Sequence, residues 1–154
     1  MGADYVFVDT SAFIALAAKK DKYHEDAARM YSELLDSHTN LVTTNHVVDE
    51  VCNRLLWDST LGHKASEKFG DMVRDISTPF VLDETNRRLP VFADLVLVYP
   101  VHKIEGSAWD IFCKYDTAGF SYTDCVSFAV MQKLGIKKAF AFDHHFDILG
   151  FERL

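Results

Sequence analysis

Tyr5-Val6-Phe7-Val8-Asp9-Thr10-Ser11-Ala12-Phe13 is the stretch that decides the fold. A short β-branched and aromatic run ends at a carboxylate, and Phe13, Ile14, Ala17 and Ala18 then follow at helical spacing. Such a run, bounded by a polar residue, predicts a buried strand leading into a helix. The Asp9 carboxylate is therefore expected at a strand's carboxyl end, where open parallel sheets place their ligand sites. Far along the chain, Ala139-Phe140-Ala141-Phe142 runs into Asp143 in the same way. The two strand ends can be neighbours in one sheet.

Working outward from Asp9, the periodicity alternates between helix and strand. Thr10 to Ala18 predicts a helix, Lys19 to Asp21 a polar break, and Tyr23 to Leu35 a helix with Ala27, Met30, Tyr31, Leu34 and Leu35 on one face. Leu41-Val-Thr-Thr predicts a strand, with Asn45 as N-cap of a helix reaching about Trp57. Gly62 to Ile76 is the next helix, and Leu95-Val-Leu-Val-Tyr is a strand stopped by Pro100. Ile104 to Tyr115 reads as helix, Gly119 as a turn, and Ser121 to Leu134 as a helix ended by Gly135. A fourth strand reaches Asp143, and Phe151 to Leu154 suggests a short edge strand. Ser77 to Asp94, with Pro79 and Pro90, permits either a small strand or a helical insertion. The expectation is one three-layer α/β/α domain over residues 1–154, with a mostly parallel sheet of four to five strands between helices.

Composition agrees with a globular chain. At 154 residues, 49% hydrophobic and 25% charged, it is near the commonest single-domain size. No apolar run is long enough to span a bilayer, and Met1-Gly-Ala-Asp lacks the features of a signal peptide, so a cytoplasmic location is expected. Cys52, Cys113 and Cys125 lie among apolar residues without C-x-x-C spacing, which predicts reduced core thiols rather than disulfides or zinc knuckles. A net charge of −7 argues against broad electrostatic attraction to nucleic acid. It leaves a nuclease open, because part of that charge can be the site itself.

Two more acids stand in helical contexts, Glu50 in Asn45-His-Val-Val-Asp-Glu-Val and Asp124 in Ser121-Tyr-Thr-Asp-Cys-Val. If Asp9, Glu50, Asp124 and Asp143 converge, their like charges require a hard divalent cation. Each has a plainer explanation. Asp9 and Asp143 suit helix caps, Asp124 completes a Ser-x-x-Asp capping box, and Glu50 has Arg54 four residues on for an exposed ion pair. Asp49 and Glu50 border the same apolar face, and periodicity does not choose between them. His144 and His145, adjacent in a polar loop, are expected to be solvated.

At these positions the chain resembles the PilT N-terminus, or PIN, domain family of metal-dependent nucleases, and within it the small VapC-type toxins. Val8-Asp9-Thr10-Ser11-Ala12-Phe13 looks like the first acidic motif and Glu50 in Val47-Val-Asp-Glu-Val-Cys-Asn-Arg-Leu-Leu like the second. Gly119-Phe-Ser-Tyr-Thr-Asp124-Cys-Val-Ser-Phe-Ala resembles the third, and Ala141-Phe-Asp143-His-His-Phe-Asp-Ile-Leu-Gly the fourth. The likeness spans Tyr5 to Trp57 and about Trp109 to the end, in order, and it selects Glu50 over Asp49.

The resemblance implies an endoribonuclease in which Asp9, Asp124 and Asp143 hold Mg²⁺ or Mn²⁺, with Glu50 bound directly or through water. Products carrying a 5′-phosphate and a 3′-hydroxyl are implied too. Ser11, Thr10 and Thr123 would support the carboxylates. It further implies an RNA substrate, a small antitoxin protein whose tail crosses the acidic cleft, and a homodimer built on helices. Two departures stand out: His145 occupies a position where many relatives carry a further acid, and the segment before the third strand is longer than in the shortest members. A housekeeping RNA-processing nuclease of the same fold is the nearest alternative. A haloacid dehalogenase-like phosphatase fits less well, since its D-x-D needs an acid where this chain has Ser11. A receiver domain would want paired acids at the first strand's end, and a binding-only module would gain stability by losing clustered acids.

Overall fold

The computed structural model describes residues 4–154; the signal-peptide reading falls largely on residues 1–3, outside them. Six parallel strands, β1 (Tyr5–Val8), β2 (Asn40–Thr44), β3 (Ser77–Leu82), β4 (Leu95–Pro100), β5 (Lys138–Phe140) and β6 (Glu152–Arg153), form one sheet in the order β3-β4-β2-β1-β5-β6. Helices α1 (Thr10–Ala17), α2 (His24–Asp36), α3 (Asn45–Trp57), α4 (Gly62–Ile76), α5 (His102–Lys114), α6 (Tyr122–Leu134) and α7 (His145–Ile148) connect them. Parallel pairing requires crossovers, and the helices supply them in the expected three-layer arrangement. Among the described residues, no helix is long and apolar enough to cross a membrane.

The sheet has one strand more than expected, because the open segment contributes β3. Its residues pair with β4 from Ser77 opposite Leu95 to Leu82 opposite Pro100. Only Phe80 and Leu82 on β3 are buried, so the run lacks the continuous apolar character of the inner strands. Pro79 is tolerated because β3 is an edge strand, where a missing N–H leaves no interior ladder bond unmade. The rest of that segment, from Asp83 to Asp94, crosses back without helix or strand.

β1 and β2 sit at the centre, with Phe7, Val42 and Val47 fully buried. Thr44, rather than Asn45, caps α3: its side chain accepts from the Val47 N–H at 3.1 Å. The extended backbone that closes β2 leaves Thr44 in the conformation a cap needs, so the helix starts one residue earlier than its sequence suggests. Gly135 ends α6 at φ 70°, the left-handed turn that glycine adopts without a Cβ clash. Of the cysteines, only Cys125 is in the core, whereas Cys52 is half-buried and Cys113 is exposed on α5. α5 covers its neighbours with Ile104 and Ala108, which leaves position 113 on the outer side of the helix.

Candidate active site

The carboxyl ends of β1 and β5 lie side by side, as Val8 pairs with Phe140 and the Asp9 N–H donates to the Phe140 carbonyl at 3.1 Å. Asp9 caps α1. Its Oδ2 accepts from the Ser11 N–H at 3.1 Å and the Ser11 hydroxyl at 2.7 Å, while Oδ1 is buried with no hydrogen-bond partner. The Ser11 hydroxyl accepts in turn from the Phe142 N–H at 2.9 Å, tying the two strand ends together. Burial raises the Asp9 carboxyl to about 6; the Ser11 hydrogen bonds oppose the rise, and the neighbouring Asp124 charge adds to it.

Asp124 occupies the first turn of α6 in a complete capping box. Ser121 Oγ accepts from the Asp124 N–H at 3.0 Å, and Asp124 Oδ2 accepts from the Ser121 N–H at 2.9 Å. The capping explanation is thus correct for Asp124, as it is for Asp9. It engages one oxygen of each carboxylate and leaves the other free of intrahelical work. Asp143 follows β5; its Oδ1 accepts from the His145 N–H at 2.9 Å.

His145 departs from the expectation of two solvated histidines. His144 is exposed, but His145 packs edge-on against Phe120 with ring centroids 5.2 Å apart. Its Nδ1 lies 3.1 Å from Asp124 Oδ2 and 3.2 Å from Asp143 Oδ2, so one ring nitrogen links the two acids. The aromatic wall of Phe120 turns the imidazole inward, and adjacency in sequence carries no trace of that. The one available signal was the position itself, two residues beyond Asp143.

Asp9, Asp124 and Asp143 are therefore brought into one locality by Ser11 and His145. Glu50 is not tied to them. It sits on α3, 3.8 Å from Arg54 as the ion-pair explanation required, and among the described residues no hydrogen bond or ion pair joins it to the aspartates. Asp49 is exposed and holds Asn53. Thr10 is buried with an unpartnered hydroxyl, and Thr123 contributes a backbone carbonyl to Ser127. Asp143, His144 and His145 bring donor atoms within 4.8 Å of one another, the one such group of three among the described residues.

The donor chemistry suits a hard cation. A buried carboxylate oxygen without a donor, beside the further carboxylates of Asp124 and Asp143, matches the all-oxygen preference of Mg²⁺ and Mn²⁺ and lacks thiolate for zinc. An apolar groove of about 400 Å³ runs between α1, α2 and α4, lined by Phe13, Leu16, Tyr31, Phe69 and Met72. Phe13 is one turn of α1 beyond Asp9, which places one end of the groove near the acids.

Comparisons with known proteins follow the same lines. The family model described as PIN domain matches residues 6–152. The 23S rRNA-specific endonuclease VapC20 of Mycobacterium tuberculosis (strain H37Rv) is 32% identical over 146 residues, covering 95% of each chain. The VapC ribonuclease of Archaeoglobus fulgidus is 24% identical over 143 residues, 92% of this chain and 78% of its own. The crystal structure of M. tuberculosis VapC20, described as a Sarcin-Ricin loop cleaving toxin, superposes with a TM-score of 0.72 at 30% identity over 95% of both chains. FitAcB from Neisseria gonorrhoeae shares the fold, with a TM-score of 0.58 at 13% identity over 97% of this chain and 96% of its own. The chain belongs to the PIN domain family and stands with its VapC-type members.

Proposed function

We infer that this chain is a VapC-type toxin endoribonuclease that hydrolyses RNA phosphodiester bonds with Mg²⁺ or Mn²⁺. The observation that carries the reading is the buried, unpartnered Oδ1 of Asp9 at a strand end shared with Asp143 and flanked by Asp124. Asp9, Asp124 and Asp143 would hold the ion, with Glu50 reaching it directly or through a water. A bound divalent ion lowers the pKa of a coordinated water and offsets charge on the phosphate.

The chain's own residues do the positioning. Ser11 fixes the orientation of Asp9 by donating to Oδ2, which leaves Oδ1 facing the site. His145 holds Asp124 and Asp143 at a common nitrogen, and the Ser121 N–H fixes Asp124 from the other side. Burial of Asp9 disfavours its charge, so a cation at this place is held more strongly than at an exposed carboxylate.

Ribosomal RNA, the substrate in the name of the M. tuberculosis relative, is the first to test. A small antitoxin would control the activity. Its apolar segment would occupy the groove lined by Phe13, Leu16, Tyr31, Phe69 and Met72, and its Arg or Lys would meet the carboxylates in place of the metal's charge.

The experiment is cleavage of ribosomal RNA by the purified chain, set against hydrolysis of a generic phosphomonoester. RNA cleavage should need Mn²⁺ or Mg²⁺, stop in chelator and vanish in Asp124→Asn. Expression of the wild-type chain alone should slow bacterial growth, and Asp124→Asn should not. Full activity in chelator, or preference for the phosphomonoester, would overturn the reading. RNase activity without growth arrest would favour a housekeeping nuclease.

A further inference from the structure

The turn between α1 and α2 carries Lys19, Lys20 and Lys22, and a chain of contacts places Lys22 beside the carboxylates. Its ammonium stands 4.7 Å from the centroid of the Tyr23 ring. Tyr23 in turn stacks on Phe142, with centroids 4.6 Å apart and planes 9° from parallel. Phe142 directly precedes Asp143, and its N–H donates to the Ser11 hydroxyl that binds Asp9. A cation is therefore held two rings away from the backbone that ties two of the acids together.

The charge of Lys22 is uncommitted. Lys64 pairs with Glu67, Lys103 with Glu84 and Lys138 with Asp4, whereas Lys22 is exposed and, among the described residues, in ion-pair contact with no carboxylate. The carboxylate of neighbouring Asp21 accepts from the Tyr23 N–H at 2.8 Å, which fixes the turn that presents the ring. The ring face attracts the ammonium and restrains an otherwise mobile stem. Arg153 stands near the same ring but is neutralised: Asp147 accepts from its guanidinium at 2.9 and 2.8 Å. Those hydrogen bonds hold Arg153 above its ordinary value against burial, with Asp147, Asp143 and Tyr23 adding through space.

We propose that Lys22, seated on the Tyr23 ring, binds the RNA phosphate next to the scissile one, where the strand crosses the β5 side of the acidic site. The proposal rests on the ribonuclease reading and adds to it a residue that binds substrate without touching the carboxylates. An RNA strand carries a negative charge at every nucleotide, so a scissile phosphate at Asp143 brings another phosphate to each side of it. In a chain of net charge −7, Asp9, Asp124 and Asp143 repel that neighbour, and a free cation beside them offsets the repulsion. A lysine ammonium, a point charge, suits a single phosphate oxygen. An acidic segment of a protein partner is the other anion that Lys22 attracts. Such a segment meets the same three carboxylates with nothing to offset them, whereas RNA meets the metal's charge at one phosphate and Lys22 at the next.

The test is steady-state cleavage of a ribosomal RNA fragment by the wild type, Lys22→Gln, Lys22→Arg and Lys138→Gln over a range of salt, with thermal melts on each. Lys22→Gln should raise KM roughly tenfold at low salt, leave kcat unchanged and flatten the slope of log KM against log salt by about 0.7, the share of one phosphate on a single strand. Lys22→Arg keeps a cation that stacks on the ring and should stay near the wild type. Lys138→Gln removes the same charge beside Asp4, at the opposite edge of the sheet from the acids, and should change neither KM nor slope. An unchanged KM and slope in Lys22→Gln, with the wild type cleaving normally, overturns the phosphate contact and leaves the ribonuclease reading intact. A loss in kcat alone, a KM rise that Lys138→Gln reproduces, or a fall in melting temperature that Lys22→Arg does not restore overturns it too. A wild type that cleaves no RNA removes both.

Discussion

Asp9 and Asp143 follow neighbouring strands after apolar runs of similar character, yet their surroundings are opposite. Asp9 follows β1, which has β2 on one side and β5 on the other; it is 2% exposed, and one oxygen meets no donor. Asp143 follows β5, one strand from the sheet edge; its side chain is 32% exposed and both oxygens have partners in His145. Asp9 directly follows its strand, whereas β5 ends at Phe140 and Asp143 stands beyond it, and that step out of the sheet separates a desolvated carboxyl from a wet one. The lesson is that an apolar run ending in Asp specifies where a carboxylate stands along the strand, and its neighbours across the sheet specify its chemistry.

The sharpest way to break that comparison is to neutralise each acid in turn. Asp9→Asn should abolish RNA cleavage, a loss larger than the roughly 10–100-fold expected when only an outer partner of a ligand is removed. Its fold should survive, because Asn is as good an N-cap as Asp and can still accept from Ser11. A variant that cleaves normally would take Asp9 out of the site, and one that unfolds would make capping its main role.

Stability against pH tests the burial of Asp9 next. The folded-state carboxyl of Asp9 is raised from 3.8 to about 6, so between those values the folded chain binds more protons than the unfolded one. Stability should therefore fall as pH rises through that window, by roughly 3 kcal/mol in all for this one group, and stay low above it. Thermal melts in chelator should find Asp9→Asn more stable than the wild type at pH 8 and no different at pH 3.5. An advantage of Asp9→Asn that does not grow as pH rises through this window would remove burial as the source of the Asp9 shift.

Smaller effects test the residues between the acids. Ser11→Ala removes one of the two donors to Asp9 Oδ2 and cuts the link to Phe142, and it should weaken Mn²⁺ binding about 10–100-fold with little change in melting temperature. Calorimetric titration with Mn²⁺ reads this directly; unchanged affinity would reduce Ser11 to a helix-start hydroxyl. Last comes the pair on α3. Glu50→Gln should lower cleavage, whereas Asp49→Asn should leave it within about twofold, since Asp49 faces Asn53 and solvent. The reverse result would transfer the second acidic motif to Asp49.

The elements with strong periodicity were legible before any coordinates. Gly62 to Ile76 is a helix to the residue, Gly135 ends α6, and the two apolar runs before Asp9 and Asp143 are adjacent strands. These depend on local spacing and on residues whose backbone preference is intrinsic. Ser77 to Leu82 was ambiguous because an edge strand buries only part of one face, so its residues need not be uniformly apolar. The Asn45 cap was displaced by one residue, since the end of β2 placed Thr44 in the capping conformation.

The sequence by itself determined an α/β chain with acids at strand and helix ends, because hydrophobic period and capping chemistry are written within a few residues. Tertiary structure decided what those acids are. Burial between two neighbouring strands sets the Asp9 carboxyl, and Phe120 turns His145 from solvent onto Asp124 and Asp143. Ring stacking brings Lys22 and Tyr23, from between α1 and α2, onto Phe142 beside the acids. Desolvation and through-space contact depend on elements far apart in the chain, and no local pattern records which of them will meet.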